Sequence, residues 1–188
     1  KPRNEVTQWL MGQDAYTLHK PVRKRFRRRR TYSKGINDLF QADLADLSAL
    51  ARQNEGNRYL LTCIDVFSKR AWAIPLKTKS GDCVKLAFER IFEDEIPNMI
   101  QTDKGTEFLN STVQALFTRH SIKHYTSENE DIKAAVVERF NRTLKNKMWR
   151  YFTYAKTQKY TDVLDDLIDS YNNTYHRSIG MAPSQVTI

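Results

Sequence analysis

The chain has little of what ties a protein to an oxidising compartment or a membrane. Cysteine occurs twice, at Cys63 and Cys83, with neither metal-ligand spacing nor a disulfide framework, which reads as two reduced thiols in an intracellular protein. No stretch approaches the roughly 18 apolar residues of a membrane-crossing helix, and no signal-peptide pattern opens the chain. Histidine occurs four times, at His19, His120, His124 and His176. His120 and His124 straddle a predicted helix-to-strand boundary and should not share a face, which argues against a zinc site. The chain begins with Lys rather than Met and is expected to be a fragment of something longer. No internal repeat is present.

What is abundant is positive charge, and it is unevenly placed. The formal net charge is +9. Residues 1–34 hold eleven of the 31 Lys and Arg but two of the 22 acids, Glu5 and Asp14, so the excess lies in this arm and the rest is balanced. The peak is Arg23 to Arg30, seven cations in eight residues. Such a run is self-repelling unless a polyanion neutralises it, and nucleic-acid phosphate is the natural one. The same run is compatible with a nuclear-import signal, and also with plain solubilising charge. Residues 1–35 are therefore read as a basic arm, extended or partly helical, interrupted by Pro2 and Pro21 and closed by Gly35. Trp9, Leu10 and Met11 could dock on a partner or on the domain.

From Ile36 the pattern becomes that of a packed domain, 36–188, with 40% hydrophobic residues overall. Alternation predicts strands over Leu39–Leu47, Tyr59–Phe67 and Ala71–Leu76, the last two joined by a turn at Ser68–Arg70. In the first, Gln41, Asp43 and Ala45 share one face, and Phe40, Ala42 and Leu44 the other. Asn54, Gly56 and Asn57 read as turn residues. Ser80 to Asp82 is a helix-start signal for Val84–Phe92. Short strands follow at Asn98–Thr102 and Ile122–Tyr125. Between them Gly105 permits a sharp turn, and Asn110 to Thr112 cap a helix reaching His120. Residues 126–131 read as a polar, acidic loop. Helices are predicted over about Ile132–Tyr151 and Thr161–Tyr175, and coil to Ile188. The order β-β-β-α-β-α-β-α-α predicts an α/β fold, a mixed five-stranded sheet with helices on its faces.

The segment from Ala134 to Met148 has no Gly or Pro. Val137, Phe140, Leu144 and Met148 recur at steps of three and four as one apolar stripe. Glu138, Arg142 and Lys145 share another face. A solvated face with an i,i+4 Glu138–Arg142 pair would explain them. Upstream, Asp43 lies in the first predicted strand and Asp103 just past the fourth, each beside apolar residues. Crowded, partly buried carboxylates repel and neutralise unless a cation holds them. Carboxylate oxygens suit Mg²⁺ or Mn²⁺, and two such ions about 4 Å apart serve phosphodiester exchange. Asp46 and Glu107 are alternative ligands, and Asp65 a possible fourth. Trp72 and Trp149 read as core or dimer-contact aromatics rather than base-stacking groups.

The contexts QADLADL, IQTDKGTEF and AAVVERFNRTLK resemble the catalytic core of retroviral-type integrases, DDE recombinases with an RNase H-like fold. The resemblance covers about residues 36–188. VERFNRTLKNKMWRYF, YNNTYHRSIGMAPSQV and the hairpin IDVFSKRAWAIPLK are most similar to integrases of Maverick/Polinton transposons, although other retroelement integrases share parts of the hairpin. The resemblance implies that Asp43, Asp103 and Glu138 are the catalytic, metal-binding triad, with two Mg²⁺ or Mn²⁺ ions. It places Asn141 beside the metal and substrate, and gives Arg142 and Lys145 contact with element-end DNA. Arg27, Arg28, Arg29 and Arg30 join them as DNA-binding candidates on charge. Asp65 matches a frequent acidic position taken as structural.

Thirty-four residues separate Asp103 from Glu138, one fewer than the retroviral pattern, which a shorter loop absorbs. Lys104 replaces the Asn often found after the second Asp. A zinc domain is expected upstream and a chromodomain or SH3-like domain beyond Ile188. The implied activity is metal-dependent 3′-end processing and strand transfer in the nucleus, by at least a dimer acting on DNA, with no membrane partner. The alternatives are a hydrolytic RNase H-like nuclease and a domesticated, non-catalytic DNA-binding protein.

Overall fold

A computed structural model describes residues 3–12, 31–126 and 134–187. The chain divides into two compact units, Lys1–Arg30 and Thr31–Ile188. In the first, helix α1 spans Arg3–Met11, and Gly12 donates its N–H to the Trp9 carbonyl. The run Arg23 to Arg30 lies outside the described residues.

The second unit is built on a five-stranded sheet. Strands β1 (Leu39–Asp46), β2 (Tyr59–Asp65) and β3 (Ala71–Leu76) form an antiparallel meander. Strands β4 (Met99–Thr102) and β5 (Lys123–Thr126) add in parallel, giving the order β3-β2-β1-β4-β5. Strand β2 ends at Asp65, two residues before the expected Phe67, and the turn starts at Val66 and is closed by Lys69, at φ 65°, whose N–H reaches the Asp65 carbonyl. Helices α2 (Gly81–Asp94), α3 (Thr106–Leu109) and α4 (Ser111–Arg119) follow in the order of the chain, then α5 (Ala135–Ala155) and α6 (Leu164–Asn172).

Both faces of the sheet are covered, and every residue of β2 after Tyr59 is buried. Phe40, Ala42, Leu61 and Cys63 pack with Val84, Phe88, Ile91, Leu116 and Phe117 of α2 and α4. Ala45, Leu60, Ile64 and Ala73 pack with Val137, Phe140, Leu144 and Met148 of α5 and with Ile168 and Tyr171 of α6. The predicted alternation along β1 is thus realised, and it turns Gln41 and Asp43 toward α5. Among the described residues no helix is long and apolar enough to cross a membrane.

Several boundaries differ from expectation for local reasons. Helix α2 starts at Gly81 because the Ser80 hydroxyl accepts from Cys83 N–H. Asn110 caps α4 through Val113 N–H at 3.0 Å, but the four residues before it form the separate helix α3. Helix α5 runs past Tyr151 because Phe152 extends the buried stripe, and it stops where Lys156 turns left-handed at φ 51°. Its expected start at Ile132 lies outside the described residues. Helix α6 begins at Leu164, not Thr161, after a turn closed by Val163 N–H on the Tyr160 carbonyl at 3.1 Å, and the N–H groups of Tyr160 and Thr161 are held by Asn54 Oδ1, at 2.7 and 3.2 Å. Asn54 also donates to the carbonyls of Leu50 and Gln158. Asn54 opens a turn as expected, with Asn57 N–H on its carbonyl, and its side chain is also a buried clamp between distant segments. Past α6, the expected coil is pinned by a bridge between His176 and Met181 and ends in a 3-10 turn, Pro183–Gln185.

Candidate functional site

The site is set by the register of two parallel strands. Gln41 of β1 lies opposite Gln101 of β4. Two residues further along each strand stand Asp43 and Asp103. Side chains repeat their face every second residue, so Asp43, within β1, and Asp103, just past the end of β4, are directed to the same face, and the charge of Asp103 is felt at Asp43. Helix α5 crosses that face, and the buried stripe Val137, Phe140, Leu144 and Met148 fixes its rotation. That rotation brings Glu138, Asn141, Arg142 and Lys145 to a groove shared with Asp43 and Trp149.

Gln41 locks the helix to the strand. Its Oε1 accepts the N–H groups of Val136 and Val137 at 3.0 and 3.2 Å, and its Nε2 donates to Gln101 Oε1 at 2.9 Å. The N-cap residue of α5, Ala134, makes no side-chain cap, so a side chain from β1 satisfies donors that a helix start otherwise leaves open. Gln41 was not predicted as a functional residue. The signal available was the recurrence of Gln-x-Asp in QAD and QTD.

Asp43 is half-buried. Its Oδ1 accepts from Leu44 N–H at 2.9 Å and its Oδ2 from Asn141 Nδ2 at 2.7 Å. Burial raises its carboxyl above the usual range; the Leu44 N–H opposes this, the charges of Asp103 and Glu138 add to it, and Lys145 offsets a little. Asp103 is exposed, and its Oδ1 accepts from Gly105 N–H at 3.1 Å. Gly105 has φ −61°, so the turn needs no left-handed residue; a Cβ there would instead meet the Glu107 carboxyl group at 2.7 Å. Glu138 is half-buried in the first turn of α5, and the salt bridge to Arg142 is not formed. Asn141 keeps one buried atom, Oδ1, without a partner.

The backbone of Asp103 is held by a directed chain of hydrogen bonds. Gln114 Nε2 has two acceptors, the Phe108 carbonyl and His124 Nδ1, each at 2.8 Å. An amide nitrogen only donates, so Nδ1 accepts and the imidazole proton sits on Nε2. It points to Thr102 Oγ1 at 2.9 Å, which donates to the Asp103 carbonyl at 2.7 Å. Burial lowers the His124 pKa, keeping the neutral tautomer this order needs.

The remaining candidates are engaged elsewhere. Asp65 is fully buried and accepts from Phe67 N–H, Ser68 N–H and the Ser68 hydroxyl, organising the β2–β3 turn. It pairs with Phe40, three positions before Asp43 along β1. Asp46 is exposed and accepts from Ser48 N–H. Trp72 donates to Asp94 and packs on Phe40. Trp149 stands half-exposed on the groove wall.

The donor set is three hard carboxylates within electrostatic reach. Among the described residues no three His, Cys, Asp or Glu side chains are gathered closely enough to hold one ion; Asp43 and Asp103 turn to neighbouring N–H donors. The chemistry nevertheless fits a hard divalent cation, which favours the ionised form of Asp43 and leaves the unpartnered Asn141 Oδ1 an acceptor beside it.

The integrase core domain family matches residues 36–131. The chain belongs to this family. A transposon-derived protein of Caenorhabditis elegans is 37% identical to this integrase core over 142 residues, 74% of this chain and 49% of that protein. The retrovirus-related Pol polyprotein from transposon 412 of Drosophila melanogaster is 34% identical over 114 residues, 59% of this chain and 9% of that protein. The chain thus spans about half the first relative and a small part of the second. Among solved structures, the HTLV-2 integrase catalytic core domain in complex with magnesium has a TM-score of 0.68 at 20% identity, covering 82% of this chain and 99% of that one. A simian T-cell lymphotropic virus intasome chain has a TM-score of 0.75 at 19% identity, covering 97% and 65%. These likenesses establish the RNase H-like integrase core fold.

Proposed function

We propose that this integrase core is a polynucleotidyl transferase that trims the 3′ ends of mobile-element DNA and joins them to target DNA. The observation that carries the reading is the matched Gln-x-Asp register of β1 and β4 facing Glu138 and Asn141 on α5, in a member of this family. Asp43, Asp103 and Glu138 would hold Mg²⁺ or Mn²⁺, two ions in all. When bound, such ions lower the pKa of an attacking hydroxyl and stabilise the leaving oxygen of an in-line displacement.

The residues of the chain supply position and charge. Asn141 fixes Asp43 through Oδ2, in a carboxylate that feels the charges of Glu138 and Asp103. Arg142 and Lys145, which form no ion pair with a described carboxylate, take phosphate oxygens flanking the scissile bond. In trimming, a water oxygen forms the new bond to phosphorus, the 3′ oxygen bond breaks, and a proton is released. In joining, the freed 3′-hydroxyl replaces water and a target 3′ oxygen leaves, so no covalent enzyme intermediate forms.

The basic arm, residues 1–35, adds sequence-independent DNA affinity to the core, residues 36–188, and Arg27 to Arg30 are its main contacts. The active form is at least a homodimer, since both element ends must meet one target; the HTLV-2 core occurs in dimeric and trimeric forms. The protein acts in the nucleus. Its affiliation is with Maverick/Polinton elements, a reading supported by the α5 and C-terminal motifs and testable on the element that encodes it.

The experiment is strand transfer of labelled element ends with Mg²⁺ by the D103N and E138Q variants. Both should lose joining and nicking. Full activity in either overturns the triad, nicking without joining by the wild type identifies a hydrolytic nuclease, and metal-independent binding without catalysis identifies a DNA-binding protein.

A further inference from the structure

Helix α5 has a second polar stripe. Arg139, Thr143 and Lys147 follow one another at steps of four, turned away from the groove that holds Glu138 and Lys145. They line a separate cavity of 380 Å³, closed by Ile64 and Lys69 at β2 and its turn, by Tyr171 of α6, and by His176. The size suits one nucleotide-sized ligand. Its walls are of two kinds: Phe140 and Tyr171 are aromatic, buried and 4.8 Å apart between ring centroids. Lys69, Arg139 and Lys147 are cationic, and no described lining residue is acidic.

None of these three cations has a carboxylate partner among the described residues. The Lys69 ammonium donates to the Val66 carbonyl, and Lys147 donates to the Ser170 hydroxyl at 2.9 Å. The nearby acid, Asp65, is committed to the β2–β3 turn. Burial lowers the Lys69 pKa, the charge of Asp65 opposes this, and Arg139 adds a smaller lowering; burial, Lys69 and Arg139 together lower that of His176. Three cations thus share one partly dry cavity, only Lys69 with an acid near it, and a bound anion would be favoured there. An anion with a flat apolar body would use both kinds of wall.

We propose that this cavity is a second nucleic-acid subsite, which takes one unpaired nucleotide of a DNA strand, its base against Phe140 and Tyr171 and its phosphate among Lys69, Arg139 and Lys147. Helix α5 then separates two sites, one for the scissile phosphate and one for a base displaced from the duplex beside it. A nucleotide enters only where the strand is unpaired, so the cavity favours frayed or overhanging ends over blunt duplex. The inference rests on the reading of this chain as a DNA-acting core, but binding tests it without catalysis.

The experiment compares, by fluorescence anisotropy in chelator, a blunt duplex with the same duplex bearing a short 5′ or 3′ single-stranded overhang, and with free thymidine 5′-monophosphate as competitor. The wild type should prefer one overhang by about tenfold. R139Q and K147Q, which change side chains open to solvent, should lose that preference and keep blunt-duplex affinity within about twofold. E138Q should keep the preference while losing strand transfer, so failure of the catalytic reading leaves this test intact. Equal weakening on blunt and overhanging DNA would make the cations a general phosphate surface and overturn the proposal. So would competition by the mononucleotide as strong as by the overhang itself, which would point to a free nucleotide.

Discussion

Replacing Gln41 with Leu tests how the site is held together. The change keeps side-chain volume and removes every polar atom. Three hydrogen bonds are lost: those of the Val137 N–H, which is buried, of the Val136 N–H, which is half-buried, and the one to Gln101 Oε1. A buried polar group left unpaired costs about 1–3 kcal/mol. Water reaches Val136, and Gln101 has further contacts, so we expect Q41L to lose about 2–4 kcal/mol in all, more than the roughly 1 kcal/mol of an ordinary helix cap. Guanidinium unfolding should show a lower midpoint at unchanged slope. The activity loss should exceed the stability loss at a temperature where the variant stays folded, because Glu138 is one residue past the released turn. Q41E is the comparison: one carboxyl oxygen can still accept from the α5 N–H groups, and the other can accept from Gln101 once its amide is turned. A Q41L loss below about 0.5 kcal/mol, or a Q41E variant that loses the lock even at acid pH where its new carboxyl is neutral, would refute it.

Three further outcomes follow from the same geometry. The Asp43 carboxyl is raised on folding, so the folded state holds its proton more tightly; this stabilisation is present at acid pH and is lost as pH rises from the ordinary carboxylate value through the raised one. D43N should therefore melt higher than wild type at neutral pH in chelator while losing strand transfer, and a lower melting temperature would contradict the burial argument. N141A removes the donor to Asp43 Oδ2 and should raise the Mg²⁺ concentration needed for activity about 10–100-fold, read by metal titration; an unchanged requirement would leave Asn141 without a positioning role. Phe88 packs against Phe92, Phe108 and Phe117, so F88A should cost about 3–5 kcal/mol by denaturant titration, and a loss under half that would mean the cluster collapses around the gap.

Much of the fold was legible because the sheet and helix periods are carried by apolar side chains. Phe40 and Ala42 against Gln41 and Asp43 gave the two faces of β1, and Val137, Phe140, Leu144 and Met148 gave the face of α5. The candidate site was legible as far as its acids, whose local contexts are distinctive. What escaped were polar side chains whose partners lie far away in sequence. Asn54 passes for a turn former until its oxygen is seen holding the approach to α6, more than a hundred residues on. Gln41 passes for a tolerated polar residue until the parallel pairing with β4 sets Gln101 beside it. His124 gains a direction for its proton only once Gln114 and Thr102 are known to flank it. Pattern reports which face a residue occupies; it does not report what waits across the fold.

The twin Gln-x-Asp strands carry a last consequence. The latch and the acids stand two residues apart on both β1 and β4, so one alignment error upsets both together. A slip of a single residue between these strands would swing Gln101 and Asp103 to the opposite side of the sheet, unfastening the helix as it scattered the carboxylates. A misaligned molecule would then be unstable as well as inert, and the cell's proteases would meet it before any chromosome did.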